Sequence, residues 1–117
     1  MPADRTLGSV KVANEVIAHI ASLTATQVQG IVGMYPARAR DNHRILPATT
    51  SYKGVRVEMG NDSLQLELFL VVDSSAHVPT VAAEVQRQVA DAIDKMLGLE
   101  VRQVNVFIGD VRFPGDA

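Results

Sequence analysis

The sequence contains no cysteine, which excludes disulfides, a catalytic thiolate and any thiolate metal site, and fits a reducing compartment. Long apolar runs are also missing. The longest, Leu68 to Val72, is five residues, whereas a membrane-spanning helix needs about 20. The opening Met1-Pro2-Ala3-Asp4-Arg5 lacks the basic and apolar regions of a signal peptide, so the expected location is the cytoplasm. Histidine is sparse. His19, His43 and His77 fall in separate segments, and none has a second ligand at metal-binding spacing. No G-x-S-x-G elbow, phosphate-binding P-loop or G-x-G-x-x-G pattern occurs. No catalytic residue, cofactor site or metal site is therefore expected. Asp73 with His77 is the one acid/base pair that could be drawn, and its plainer reading is a pair of loop polar groups.

What is present is ordinary globular material, 47% apolar and 21% charged over 117 residues. A chain of that length should bury roughly two-thirds of the surface it exposes when unfolded, so one domain over 1–117, with its core at about 7–111, is expected. The net charge is −2, unevenly spread. From Arg38 to Arg56, five basic residues (Arg38, Arg40, Arg44, Lys53 and Arg56) stand against Asp41, giving +4 and leaving −6 elsewhere. An acidic body is a poor footprint for nucleic acid. Arg38, Arg40 and Arg44 form a candidate polar contact loop, whose alternative is a solvated loop without aromatics for base stacking.

Periodicity supplies the elements. Val12, Val16, Ile20 and Leu23 recur at helical spacing, with Asn14, Glu15, His19 and Ser22 on the other side. Val28 to Met34 reads as extended or hinge-like, with Gly30 and Gly33 as hinge or close-packing positions. Pro36, Pro47 and a polar run make Tyr35 to Ser51 a long loop. Val55, Val57 and Met59, then Leu64, Leu66, Leu68, Leu70 and Val72, alternate on either side of a Gly60-Asn61-Asp62 turn and predict a hairpin. A second helix starts near Pro79, with a stripe of Val81, Val85, Val89, Ala92, Ile93 and Met96, and stops at Gly98. Glu84, Arg87, Asp91, Asp94 and Lys95 lie on its exposed face. Val104, Val106 and Ile108 mark a last strand, and Leu7 to Lys11 a short first one.

The expected fold class is α+β: a two-layer sandwich with two helices on one face of a small mixed sheet, in the order (β)-α-β-β-α-β. The strand after the second helix should run parallel to Leu64 to Val72. Phe69, Val71 and Phe107 then fall on the face away from the helices. If the two strands are neighbours these residues make an apolar patch, a candidate interface for self-association; the other reading is that the Tyr35 to Ser51 loop covers them.

These segments resemble the alkaline shock protein family. The resemblance rests on Gly8-Ser9-Val10-Lys11-Val12 leading into Ala13-Asn14-Glu15-Val16, on Val28-Gln29-Gly30-Ile31-Val32-Gly33-Met34, and on Lys53-Gly54-Val55-Arg56-Val57. Val78-Pro79 with Glu84-Val85-Gln86, and Gly98-Leu99-Glu100-Val101 with Val104-Asn105-Val106, extend it over about Leu7 to Val111. Gln27 and Gln29 stand where family members often carry glutamates. The resemblance implies a non-enzymatic cytoplasmic protein of the envelope stress response that self-associates and is held near the membrane by a membrane-anchored partner. It also admits regulation of a metabolic enzyme such as a fatty-acid-synthesis carboxylase; a small RNA-binding domain is a third class, opposed by the acidic body.

Overall fold

Five alternate side chains of one segment, Leu64, Leu66, Leu68, Leu70 and Val72, are all 1% exposed or less, and the rest of the molecule is arranged around the strand that carries them. The computed structural model describes residues 8–35, the backbone of 49–52, and residues 54–60 and 63–115. In chain order the elements are α1 (Asn14–Thr26), β1 (Ile31–Met34), β2 (Thr49–Tyr52), β3 (Val55–Met59), β4 (Leu64–Asp73), α2 (Val78–Leu97) and β5 (Val101–Arg112).

β4 is the central strand. Along one edge it pairs antiparallel first with β3, Met59 opposite Leu64 to Val55 opposite Leu68, and then with β1, Met34 opposite Leu70 and Ile31 opposite Val72. β2 continues the sheet beyond β3. The whole other edge takes β5 in parallel, and β5 pairs with no other strand among the described residues. The result is a mixed five-stranded sheet.

Both helices lie on the face that β4 fills with leucine. Val85, Val89 and Ile93 of α2 are fully buried there with Ile17, Ala18, Ala21 and Ala25 of α1. Val55 and Val57 of β3 and Val104 of β5 complete the core. Burying each such Val, Leu or Ile contributes on the order of 1.5–3 kcal/mol. α2 begins one residue before Pro79 and ends at Gly98, whose φ of 69° is left-handed.

The architecture agrees with the expected two-layer α+β sandwich, and the expected hairpin and parallel last strand are present. Several details differ. Gly8 to Lys11 form no strand. Val28 to Met34 contains β1, in line with its extended reading, whereas Thr49 to Ser51, expected in the long loop, belong to β2. The α1 stripe is rotated: Val16 and Leu23 are 45% and 50% exposed, while the alanines and Ser22 are buried. Alanines carry little weight in a hydropathy pattern, yet they let a helix approach closely. Ser22 satisfies itself by donating its hydroxyl to the His19 carbonyl at 3.0 Å. Met96, placed in the α2 stripe, is 66% exposed.

Candidate protein-interaction site

On the face opposite the helices, β4 presents Gln65, Glu67, Phe69 and Val71. The parallel register sets Gln103, Asn105 and Phe107 of β5 beside the first three. Phe69 and Phe107 stack, ring centroids 4.9 Å apart and planes 17° from parallel, a geometry worth about 0.5–1.5 kcal/mol beyond area burial. Phe107 is nevertheless 43% exposed. The neighbour relation on which the apolar patch depended is thus present, but Val71 is not part of its accessible surface, being only 6% exposed. Arg38, Arg40 and Arg44 lie outside the described residues, as does most of the loop considered as a cover for this face.

Tyr35 belongs to the same face and was hidden in the sequence by its assignment to a loop. Its backbone N–H donates to the Phe69 carbonyl at 2.7 Å, extending the β1 pairing by one residue. Its ring rests on Gly109 of β5, so closely that a Cβ at Gly109 would stand 2.5 Å from Tyr35 Cδ2. The available signal was the glycine itself, since Gly inside a strand marks a bulge or a close approach. Here it marks both: Leu70 pairs with Ile108 and Val71 with Asp110, leaving Gly109 as the extra residue. Beside the aromatic group, Arg56 and Glu67 pair across β3 and β4 at 3.4 Å, their side chains 11% and 35% exposed.

The edge of β5 next to this face is partly guarded. In a parallel pair, alternate residues direct their backbone groups to the neighbouring strand. β4 takes the carbonyls of Glu100 and Arg112; the register shifts at Arg102 and Gly109 reverse the alternation between them, so Val104, Val106 and Ile108 turn theirs outward. Gln86 of α2 donates its amide to the Val104 carbonyl at 3.0 Å. The Asp110 carboxylate accepts the Val111 N–H at 2.8 Å.

A second feature lies at the C-terminal end of β4, a hollow of about 550 Å³ lined by Gln27, Gln29, Gly30, Asp73, Thr80 and Glu84 among others. Gly30, at φ +102°, closes it against α2, where a Cβ would meet Val81 Cγ2 at 2.9 Å. The close-packing reading of Gly30 therefore holds. Asp73 and His77 do not pair: Ser75 donates to the Asp73 carboxylate at 2.7 Å, and His77 Nδ1 lies 2.7 Å from the Thr80 hydroxyl. Glu84 accepts hydrogen bonds from Arg87 and from Gln88, and these hold its carboxyl below the ordinary range. Gln27 and Gln29, the departures from the family pattern, both line this hollow.

Similarity to known proteins agrees with the architecture. Residues 3–113 match the model of the alkaline shock protein 23 family, described as having a cell envelope-related function. The uncharacterized protein YqhY of Bacillus subtilis is 30% identical over 110 residues, covering 94% of this chain and 82% of its own length. A stress response regulator gls24 homolog of Streptococcus pyogenes is 27% identical over 108 residues, 90% of this chain and 59% of that protein. Among solved structures, the MamM CTD in its copper form superposes with a TM-score of 0.53 at 16% identity, covering 89% of this chain and 91% of that one, a likeness of fold. With the family model spanning nearly the whole chain, and with relatives alike over most of its length, this protein belongs to the alkaline shock protein family.

Proposed function

We propose that this protein is a non-enzymatic binding module of the cell-envelope stress response, which works by associating with itself and with a protein partner. The observation that carries the reading is the Phe69–Phe107 stack on the face opposite the helices, with Phe107 left 43% exposed beside the outward edge of β5. An ordinary solvated sheet face alternates to polar groups; here aromatic area interrupts that alternation. Burying a Phe side chain contributes on the order of 1.5–3 kcal/mol, which offsets part of the cost of association. The side chains that could do chemistry are held in local hydrogen bonds at the hollow, with Asp73 and His77 turned to different partners. No helix among the described residues is long and apolar enough to cross a membrane. In this reading the role at the envelope is exerted through a membrane-anchored partner, from the cytoplasmic side.

The test is co-purification from intact cells under envelope stress, comparing tagged parent with Phe107→Glu. The expected outcome is a defined set of companions with the parent, including an integral membrane protein, that Phe107→Glu loses. Identical companions for the two would remove the aromatic face from the interaction; recovery of nucleic acid as the main companion would replace the reading altogether.

A further inference from the structure

The outward edge of β5 carries a charge pattern complementary to itself. Arg102 and Asp110 stand four residues either side of Val106, and Glu100 and Arg112 stand six. All four are exposed. Antiparallel pairing of two such strands about a two-fold axis through Val106 sets Arg102 opposite Asp110 and Glu100 opposite Arg112, each twice. The neighbouring registers lack this match. Centred on Phe107, the pairing would oppose Arg102 to Arg112; centred on Asn105, it would oppose Glu100 to Asp110.

Backbone parity permits this register and excludes those centred between residues, leaving the charge pattern to choose among the rest. Val104, Val106 and Ile108 direct their peptide groups away from β4, and the Val106 axis places Val106 opposite itself and Val104 opposite Ile108, so that outward groups meet outward groups. Arg102 and Gly109 are the residues without a partner on β4, and they bound the regular stretch 103–108 within which the axis falls. Phe107 falls opposite Asn105 of the other copy, with the second Phe107 on the diagonal, about 7–8 Å away and within aromatic reach.

We infer that the partner of this edge is a second copy of the chain, the two β5 strands pairing antiparallel about Val106 to join two sheets into one. The inference rests on the self-association proposed above and names its surface. Gln86 on the Val104 carbonyl and Asp110 on the Val111 N–H guard two positions of the edge, so in this register Ile108 of one copy meets a carbonyl that Gln86 must share or release. Side-chain guards of this kind oppose indiscriminate edge pairing.

The experiment uses the full chain in sedimentation over a concentration series: parent, Arg102→Glu, Asp110→Lys, Phe107→Glu, and an equimolar mixture of the first two variants. Each charge variant alone sets like charges opposite each other at both symmetric contacts. The expected result is self-association weakened by roughly tenfold, from exposed-pair strengths. In the mixture every contact is again between opposite charges, so association should return to the parent level, which a merely misfolded variant could not do. Amide exchange at Val106 and Ile108 should slow as concentration rises. If the parent and both charge variants associate equally while Phe107→Glu does not, or if the mixture is no tighter than its components, edge pairing is wrong and the reading of a self-associating face survives. A parent that stays monomeric throughout removes both.

Discussion

Replacing Gly109 with alanine perturbs a single contact. The added Cβ would press on Tyr35 Cγ and stand 2.5 and 2.8 Å from Cδ2 and Cδ1, against an optimum of about 3.5–4.0 Å between carbons. Tyr35 is pinned by its N–H bond to the Phe69 carbonyl, so the ring or the bulge must yield by about 1 Å. Such overpacking typically costs about 1–3 kcal/mol. Gly109 is not among the glycines with positive φ, so alanine meets no backbone penalty, and relief of the glycine's unfolded-state entropy should return about 0.5–1 kcal/mol. The assay is denaturant unfolding followed by far-UV circular dichroism on a double-mutant cycle of Gly109→Ala and Tyr35→Ala. In the parent, Gly109→Ala should be destabilising; in Tyr35→Ala it should be neutral or slightly stabilising. An equal cost in both backgrounds would refute the placement of the ring on β5.

Leu66→Ala, at the middle of β4 and 0% exposed, should lower unfolding free energy by about 2–5 kcal/mol, read from the shift of the denaturant midpoint. Gln86→Ala removes the donor to the Val104 carbonyl and unguards the edge, so self-association measured by light scattering should strengthen while α2 stays folded. Glu84 is held below the ordinary carboxylate range by Arg87 and Gln88, so its contribution to stability is present above the unfolded-state value and lost as pH falls through the folded one. The stability gap between parent and Glu84→Gln should therefore be seen at neutral pH and close on acidification below about pH 4.

The sequence made β4 legible because strict alternation of leucine with polar or aromatic residues has one structural solution, and α2 because valines at helical spacing are bracketed by Pro79 and Gly98. The parallel course of β5 followed from the helix between two strands. α1 was rotated in the reading because its buried side is Ala18, Ala21 and Ala25, weaker in hydropathy than the exposed Val16 and Leu23. β1 was legible only as an extended or hinge-like segment and β2 was read as loop, because each has four residues, too few for a period to show. For the candidate site, alternation placed Phe69 and Phe107 on one face, but their contact depended on strand order, which no local pattern encodes. Tyr35 joined them only through a close approach to Gly109, and Val71 was lost to burial that alternation does not reveal.

The most direct measurement of the central claim is sedimentation velocity of the parent and of Phe107→Glu over a range from micromolar to hundreds of micromolar. With Phe107 exposed beside a stacked Phe69 and the outward edge of β5, the parent is expected to shift to a larger species with concentration, while Phe107→Glu stays at the monomer value with unchanged circular dichroism. A strictly monomeric parent, or a Phe107→Glu chain that associates as strongly as the parent, would contradict the assignment of this face as the binding surface.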